Sequence, residues 1–282
     1  MAILYVPIDK PPKQVSNIFT HNDIMDIDSI KNTVIQWDCL VEMQNIPDKS
    51  IDMILCDLPY GTTACKWDTI IPFDKLWEQY ERIIKPNGAI VLTASQPFSS
   101  ALVMSNPKLF KYEWIWRKNT GTGFATAKYQ PLRYHESVLV FSKNKTNYNP
   151  IPTERFSEAS KKMCKKPVRG GGKKTSSHIS MEIVKVQYDS ETKNPESVLE
   201  FKSVPNAGGH KLHPTQKPIE LFEYLVKTYT NENDLVLDNT AGSGTTAIAC
   251  LNTKRNYILI EQEQEYIEII NKRLENITPS LF

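Results

Sequence analysis

Short apolar segments that alternate with amphipathic, helix-like segments constrain the fold of this chain more than any other feature of its sequence. Residues 51–56 and 234–238 have the length and apolar content of buried strands. Between Phe73 and Ile84, apolar side chains recur at helical spacing, and the segment stops at residues 85–88, where Pro86 and the Asn-Gly pair after it predict a turn. Strands separated by helices form parallel sheets that are covered on both faces. The sequence therefore predicts an α/β fold with a doubly wound, mainly parallel sheet.

Two segments near the middle of the chain predict strands of another kind. Residues 112–117 and 136–142 are expected to be antiparallel neighbours at an edge of the sheet. The other elements follow the strand–helix alternation. Strands are predicted at 33–37, 89–93 and 256–261, and helices from Pro218 to Tyr229, after Gly244 up to Cys250, and at 266–274.

The strand–helix pattern is interrupted between residues 142 and 205, where Lys, Ser, Gly and Pro dominate. We therefore expect four segments. They are an N-terminal extension at 1–30, the first half of the α/β domain at 31–141, a basic insertion at 142–205 and the second half of the domain at 206–282.

The insertion carries a concentration of positive charge. Residues 142–174 contain ten basic residues and two acidic ones, a net charge of +8, whereas the whole chain carries only +2. A basic segment on an otherwise acidic body is typical of an element that binds a polyanion. A solvated lysine-rich loop has the same pattern, so the charge alone leaves both interpretations open.

Composition argues against several other classes of protein. No apolar run approaches the roughly 18 residues of a membrane-spanning helix, and the N-terminus lacks the basic start and apolar stretch of a signal peptide. The five cysteines include no Cys-x-x-Cys pair, and the five histidines form no metal-binding pattern. We therefore expect a cytoplasmic protein without disulfides, metal or membrane contact.

A glycine-containing turn follows the strand at 234–238. Asp238 ends that strand, Gly242 and Gly244 lie in the turn before a helix, and Glu261 ends the next strand. Glycines let the backbone approach a ligand closely, and an acid at the end of the next strand can accept both hydroxyls of a ribose. The pattern predicts a nucleoside cofactor site, and the alternative is a tight turn that binds nothing. It is not a phosphate-binding P-loop, because no Gly-x-x-x-x-Gly-Lys-Ser/Thr occurs.

A second motif follows the strand at 51–56 and consists of Asp57, Leu58, Pro59 and Tyr60. The amino group of a nucleic-acid base is a poor nucleophile because its lone pair is delocalised into the ring. A carboxylate and a neighbouring backbone carbonyl can accept both N–H hydrogens and so direct the lone pair at an electrophile. Tyr60 can stack on an extruded base. The alternative is an ordinary strand end with a capping aspartate.

The two motifs, in this order, resemble those of the DNA amino-methyltransferase family (N6-adenine and N4-cytosine), in its β-type arrangement with the catalytic motif first. The likeness covers about residues 31–142 and 206–275. It extends to the segments 66–68, 94–98, 121–124, 130–136 and 213–218.

The resemblance implies a Rossmann-like fold that binds S-adenosylmethionine, with 31–141 as the catalytic half, 206–282 as the cofactor-binding half and 142–205 as a target-recognition insertion. Asp57 and the Leu58 carbonyl would hold the target amino group, with Pro59 stiffening the loop and Tyr60 stacking on the base. The implied cofactor-binding residues are Asp38 at the adenine, Thr215, Gln216 and Lys217 at the methionine end, Asp238, Ala241, Gly242, Ser243, Gly244 and Thr245 in the glycine turn, and Glu261 at the ribose. Lys217 would neutralise the cofactor carboxylate.

Two departures from the family pattern stand out. Leu58 replaces the commoner proline, and Asn239 and Thr240 replace a common aromatic residue after Asp238. The acidic residue Asp57 favours adenine N6 in duplex DNA as the target. The alternatives are cytosine N4, an RNA or protein amide, and, from another class, a catalytically silent DNA-binding or regulatory subunit. The resemblance is compatible with a homodimer and with a cognate restriction endonuclease as a partner, and the residues decide neither.

Overall fold

The computed structural model describes residues 14–15, 26–63, 65, 67–155, 157–158, 161, 191–205, 212–213 and 215–277. The chain divides into two compact units, one comprising 1–149 and 197–282 and the other 150–196. The smaller unit lies within the segment expected as an insertion. Most of the basic residues that predicted a polyanion-binding element fall at 162–190, outside the described residues.

The larger unit alternates strands and helices along most of its length. In chain order the described elements are β1 (Gln14–Val15), α1 (Ile27–Ile30), β2 (Thr33–Gln36), α2 (Cys39–Asn45), β3 (Ile51–Cys56), α3 (Phe73–Ile83), β4 (Ile84–Ala94), α4 (Phe98–Ser105), β5 (Phe110–Thr122), a 3₁₀ turn (Phe124–Thr126), β6 (Arg133–Phe141), β7 (Thr153–Glu154), β8 (Thr192–Lys193), β9 (Val198–Glu200), α5 (Ile219–Tyr229), β10 (Leu235–Asp238), α6 (Thr245–Asn252), β11 (Asn256–Glu261) and α7 (Gln264–Ile277). Strands β7 and β8 form an antiparallel pair in the smaller unit.

Nine of these strands form one sheet in the order β1-β2-β11-β10-β3-β4-β6-β5-β9. The strands from β1 to β4 in this order are parallel, and β6 runs antiparallel to both of its neighbours, β4 and β5. The structure therefore confirms the predicted doubly wound, mainly parallel α/β fold. It also confirms that 112–117 and 136–142 lie in antiparallel neighbours.

The two faces of the sheet carry separate hydrophobic cores. Along β3, Ile54 and Cys56 pack into one core with side chains of α2, α3 and α4, while Met53 and Leu55 pack into the other with α5, α6 and α7. Because successive side chains of a strand point to opposite faces, an uninterrupted apolar strand needs helices on both sides. Burial of each such side chain stabilises the fold by about 1.5–3 kcal/mol.

The order of the strands places two strand ends side by side. Strands β3 and β10 are neighbours, yet β3 continues through α3 to β4 on one side and β10 continues through α6 to β11 on the other. Open α/β sheets bind ligands in the crevice that forms where the connections diverge in this way. Asp57 follows β3 and Asp238 ends β10, so both carboxylates lie at this crevice.

The structure differs from the prediction at two places in the sheet. Residues 85–88, expected as a turn, continue strand β4 as an irregularity in which Lys85 binds Asp52 at 2.7 Å. Residues 198–200, expected within the irregular insertion, form β9 parallel to β5 with Leu199 buried. A three-residue strand has too short a pattern to stand out in a segment rich in polar residues.

The N-terminal extension contributes to the sheet at one point, because residues 14–15 pair with β2. Asp26 then caps the short helix α1. Within the described residues, no helix combines the length and the apolarity that crossing a membrane requires.

Candidate functional site

A cavity of about 470 Å³ opens at the crevice between β3 and β10. Fourteen of the fifteen predicted site residues line it: Asp38, Asp57, Leu58, Pro59, Tyr60, Thr215, Gln216, Lys217, Asp238, Ala241, Gly242, Ser243, Thr245 and Glu261. The exception is Gly244, which does not line the cavity and packs against Ile270. The fold thus brings residues that are far apart in the sequence together around one cavity. The role predicted for each residue remains a prediction.

The Asp57 carboxylate lies at the centre of a hydrogen-bond network. The Tyr60 hydroxyl donates to its Oδ1 atom at 2.8 Å, and the Thr93 hydroxyl donates to the same atom. Lys217 Nζ donates to the Oδ2 atom at 2.6 Å. A carboxylate can accept about four hydrogen bonds, so these three donors fix its orientation and leave Oδ2 able to accept one more.

The residues that follow Asp57 are held by their side chains. Leu58 is buried in the core beneath the sheet, which explains how a leucine anchors the loop where related motifs use a proline. Thr240 donates to the Asp57 backbone carbonyl at 3.2 Å, whereas among the described residues no donor reaches the Leu58 carbonyl. Leu58 therefore presents a backbone acceptor beside the carboxylate.

Tyr60 contacts protein groups on its ring and on its hydroxyl. Its ring stacks on Phe98 with centroids 5.0 Å apart, and Lys217 Nζ lies 5.6 Å from its centroid. Burial, together with the charges of Asp57 and Glu136, raises the pKa of Tyr60 well above its ordinary value. The hydroxyl is therefore a fixed hydrogen-bond donor to Asp57 at neutral pH.

Four charges, on two buried lysines and two partly buried carboxylates, form a chain that begins at Asp57. Lys217 Nζ lies 2.6 Å from Asp57 and 3.4 Å from Glu136, and Lys118 Nζ lies 3.0 Å from the other oxygen of Glu136. The two lysine side chains are each only 6% exposed. Because two cations face two carboxylates, the buried charges balance, which a buried ion pair requires.

The alternation of charge favours the ionised forms of Lys217 and Glu136. Burial alone would lower the pKa of Lys217, but the carboxylates of Asp57 and Glu136 outweigh it and raise that pKa. Burial alone would raise the pKa of Glu136, but Lys217 and Lys118 lower it. The position of Lys217 differs from the role implied by the resemblance, because its ammonium group binds Asp57 and Glu136.

On the other side of the crevice, Asp238 is nearly inaccessible to solvent. Thr240 N donates to its Oδ1 atom at 3.1 Å, and the Thr246 hydroxyl donates to Oδ2. Burial raises the pKa of Asp238 to about 7 despite these hydrogen bonds. An acid of this kind changes charge near neutral pH.

Glu261 ties the end of β11 to the glycine turn. Its carboxylate accepts hydrogen bonds from the backbone N–H groups of Gly242 at 2.7 Å and of Gln262 and Glu263 at 2.9 Å. Burial raises the pKa of Glu261, and these three bonds oppose the increase. The carboxylate is therefore pre-oriented at the cavity wall, with one acceptor position left on Oε2 for a hydroxyl group.

The two glycines of the turn are required for different structural reasons. Gly242 has φ +51° and a side chain there would meet the His213 ring at 3.4 Å, so the turn passes close beneath that ring. Gly244 has φ +75° and a side chain would meet Ile270 at 2.9 Å. Gly244 starts helix α6 and packs against α7, which makes it structural even though it belongs to the predicted motif.

The remaining predicted residues are fixed by short local contacts. Asp38 caps helix α2 by accepting from Leu40 N at 2.8 Å. Thr215 contacts the His213 ring nitrogen through its backbone and hydroxyl, and the Gln216 side chain accepts from Leu212 N at 2.9 Å.

Three aromatic residues that carried no predicted role form one wall of the cavity. His213 lies between Trp67 and Tyr266, with ring centroids 4.9 Å and 4.3 Å away. They come from three separate parts of the chain, so no sequence spacing connects them. Of the three, His213 lies against the glycine turn, where its ring would be 3.4 Å from a side chain at Gly242.

The loop after Tyr60 is closed by Asp68. Its carboxylate accepts from the backbone N–H groups of Gly61, Thr62 and Thr63 at 2.8, 2.9 and 2.6 Å. Burial would raise the pKa of Asp68, but the Thr63 hydroxyl and these backbone groups lower it. The resemblance included Asp68 within 66–68 without giving it a role; the structure shows that it shapes the loop.

Three further residues near the site were not predicted. Thr93 lies near the carboxyl end of β4, and Glu136 and Lys118 lie on β6 and β5. Position at the carboxyl end of the strand next to β3 is a signal that could have indicated Thr93. The pairing of Glu136 with Lys217 depends on the order of strands and has no sequence signal.

Behind the site, a buried polar group links the two halves of the crevice. The Asn239 side-chain oxygen accepts from Tyr80 at 2.5 Å and from Cys56 at 2.9 Å. Burial raises the pKa of Cys56, so this thiol stays protonated and unreactive. Among the described residues, no group of three or more His, Cys, Asp or Glu side chains has the arrangement of a metal site.

Comparison with known proteins identifies relatives of this chain. A family model described as DNA methylase, for N6 and N4 methyltransferases, matches residues 51–272. The type II methyltransferase M.HpaI of Haemophilus parainfluenzae is 28% identical over 83% of the chain and 71% of its own length. The DNA adenine methyltransferase YhdJ of Escherichia coli is 29% identical over 86% of the chain and 82% of its own length. The crystal structure of the M1.HpyAVI–SAM complex, 25% identical, aligns with a TM-score of 0.56 over 85% of the chain and 98% of its own.

Proposed function

Given that the chain belongs to the N6/N4 DNA methylase family, we propose that it transfers a methyl group from S-adenosylmethionine to the N6 amino group of adenine in duplex DNA. S-Adenosylmethionine is the methyl donor, as in the solved complex of a relative. The observation that carries the proposal is the pair of acceptors formed by Asp57 and the Leu58 carbonyl at the open crevice.

The residues around the cavity fit the cofactor by their chemistry. Asp238 and Glu261 are acidic groups at the glycine turn, which suits a ligand with a sulfonium, an ammonium and ribose hydroxyls. Gly242, without a side chain, lets a ligand approach the backbone closely; the atoms nearest to an added side chain there belong to the His213 ring, 3.4 Å away. When bound, S-adenosylmethionine supplies an electrophilic methyl group.

The protein groups act on the target amino group by orienting it. The free acceptor position on Asp57 Oδ2 takes one N–H hydrogen, and the Leu58 carbonyl takes the other. With both hydrogens held, the nitrogen lone pair points away from the ring plane toward the methyl donor. The donors Tyr60, Thr93 and Lys217 keep the carboxylate from rotating. The methylated amino group then loses one proton to solvent.

Adenine is favoured over cytosine by the acidic first residue of the motif and by relatives such as the E. coli adenine methyltransferase. Cytosine N4 presents the same amino-group geometry and is the second candidate for this site. A silent DNA-binding subunit is disfavoured because Asp57, Asp238 and Glu261 are all held at one cavity. The basic insertion at 142–205 is proposed to contact DNA phosphates.

The test is methyl transfer from labelled S-adenosylmethionine to unmethylated bacterial genomic DNA, followed by nucleoside analysis. We expect N6-methyladenine from the wild type and a loss of about a hundredfold or more for Asp57→Ala, as for removal of one stabilising group at other active sites. Asp74→Ala, an exposed aspartate at the start of α3, is the matched control. N4-methylcytosine would select the second candidate, and cofactor binding without transfer to any DNA would select the silent subunit.

A further inference from the structure

The hairpin between β5 and β6 extends past the sheet on the side of the cavity. Strand β6 is antiparallel to β4, and Ser137 pairs with Ala94, the last residue of β4. Residues before Ser137 therefore lie beyond the carboxyl end of β4, which is the edge where the cavity opens. Arg133 confirms this position, because its side chain reaches Ser95 at 3.3 Å.

The hairpin starts at the site itself. Glu136 contacts Lys217, which in turn contacts Asp57, and the chain continues outward from Glu136 to the hairpin tip, residues 123–130. With a rise of about 3.3 Å per strand residue, Arg133 lies about 10 Å further out. The tip therefore projects from the rim of the cavity that holds Asp57.

The tip exposes two large aromatic side chains. Phe124 is 65% exposed and Tyr129 is 87% exposed. Within the described part of the chain, neither ring stacks on another aromatic ring. Exposed aromatic residues at one turn are unusual for a surface that contacts only water, and they mark an interaction site.

The backbone of the tip is ordered by its own hydrogen bonds. Ala127 N bonds to the Phe124 carbonyl at 3.2 Å, Tyr129 N to the Thr126 carbonyl at 2.9 Å, and the Gln130 side chain to the Thr126 hydroxyl at 2.7 Å. Gly123, with φ +90°, turns the chain into this arrangement. The two rings are thus presented on a fixed turn, which lowers the entropy lost when they contact a partner.

The charge of the hairpin suits a polyanion. No acidic residue occurs from residue 115 to residue 135, while Lys128 and Arg133 are basic and exposed. Aromatic rings combined with cations and no acids are the composition of surfaces that stack on bases beside a phosphate backbone. A protein partner would gain less from this uniform positive charge.

We propose that the hairpin tip inserts Phe124 and Tyr129 into duplex DNA where the target base leaves the stack. The inference rests on the proposed function, because the partner is DNA whose target base enters the cavity at Asp57. Extruding a base costs a few kcal/mol of lost stacking. Apolar side chains that enter the duplex next to the target replace part of this stacking and hold the base outside.

The experiment uses the full-length protein and duplex oligonucleotides that carry the site mapped in genomic DNA. Single-turnover methyl transfer is measured for wild type and for Phe124→Ala/Tyr129→Ala, on a fully paired duplex and on one with a mismatch opposite the target base. We expect the variant to be slowed about tenfold or more on the paired duplex, since stacking contributes ~1–3 kcal/mol per base. On the mismatched duplex the loss should shrink to about threefold or less, because a mismatched base is already easier to extrude.

Met104→Ala is the control, since Met104 is an apolar side chain on α4 that is 71% exposed. It should transfer methyl groups at the wild-type rate on both duplexes. Cofactor binding and thermal unfolding of the double variant should also match the wild type, which separates a defect in DNA contact from one in folding.

Equal rates for the variant and the wild type, or an equal loss on both duplexes, would overturn the inference. A change in the sedimentation of the DNA-free protein would overturn it too, by assigning the rings to self-association. A wild type that methylates no DNA would remove the proposed function and this inference together. An active wild type with an unaffected variant would remove the inference alone.

Discussion

The side chain of Lys217 sits in the loop that the sequence assigned to the cofactor, yet its ammonium group binds Asp57 at 2.6 Å and Glu136 at 3.4 Å. Lys217 therefore fixes the orientation of the Asp57 carboxylate, the group that we propose holds the target amino group. The sequence predicted Lys217 as a cofactor-binding residue; the structure places it at the cavity and shows its contacts with Asp57 and Glu136.

We predict that Lys217→Met lowers kcat about tenfold or more while the Kd for S-adenosylmethionine stays within about twofold, because the lost contact orients a reacting group. Single-turnover methylation and calorimetric cofactor titration measure the two effects. Removing one partner of a buried pair costs about 3–5 kcal/mol of stability. Both assays are therefore run at a temperature below that at which the Lys217→Met variant unfolds.

Lys227→Met, an exposed lysine on α5, is the control for this change and should leave both quantities unchanged. Weakened cofactor binding with an unchanged kcat would instead show that Lys217 neutralises the carboxylate of S-adenosylmethionine.

A pH dependence follows from Asp238, whose pKa burial raises from 3.8 to about 7. Between these values the folded chain keeps a proton that the unfolded chain has lost. The contribution of Asp238 to stability is therefore complete below pH 3.8 and is lost as the pH rises through about 7. We predict that Asp238→Asn flattens the fall in unfolding free energy across this window, by up to about 1.4 kcal/mol per pH unit.

Urea unfolding of the cofactor-free protein at several pH values tests this prediction. Asp74→Asn, at an exposed position, should reproduce the wild-type slope. A wild-type slope in Asp238→Asn would mean that Asp238 is ionised in the folded protein throughout.

At the scale of elements, the glycine turn shows how helix packing and backbone conformation together select a residue. Gly244 starts α6 with φ +75°, and a side chain would meet Ile270 of α7 at 2.9 Å. Gly123 also has a positive φ, +90°, but the nearest atom to an added side chain lies 3.6 Å away. A side chain at Gly123 would meet backbone strain alone, whereas one at Gly244 would meet both backbone strain and a steric clash.

We predict that Gly244→Ala destabilises the protein by more than Gly123→Ala. A strained positive φ costs about 1–3 kcal/mol in either case, and Gly244→Ala must also displace Ile270. Chemical denaturation of the two variants measures the difference. Equal losses would show that α7 moves away without cost.

At the scale of the whole molecule, both hydrophobic cores and every described residue of the cavity belong to the unit formed by 1–149 and 197–282. The residues of 150–196 that the structure describes contribute no side chain to either core. Each unit has its own internal contacts, and the larger one contains what a folded α/β domain needs.

We predict that replacing 150–196 by a flexible Gly/Ser linker leaves cofactor affinity within about threefold of the wild type, because no core contact is lost. The same change should weaken DNA binding and lower its dependence on salt, since the basic residues of the insertion release counterions from DNA. Cofactor titration and DNA-binding isotherms at several salt concentrations test the two parts. Unchanged DNA binding would show that the insertion does not contact DNA.

The sequence by itself determined the fold class. It also predicted the carboxyl ends of β3 and β10, with the acids and glycines placed there, as ligand-binding positions. These features follow from local patterns, because apolar strands, helix spacing and turn residues are readable over short segments. The irregular start of β4 and the short strand β9 were missed, since the stabilising contacts of both come from neighbouring strands.

Only the tertiary structure decided which side chains meet across the crevice. The contacts of Lys217 with Asp57 and Glu136, the support from Thr93, and the aromatic wall of the cavity join segments that lie tens to hundreds of residues apart. Such contacts depend on the order of the strands and on side-chain direction, and a chain's local pattern specifies neither. Buried charges must then find partners, and the strand order determines which partners are within reach.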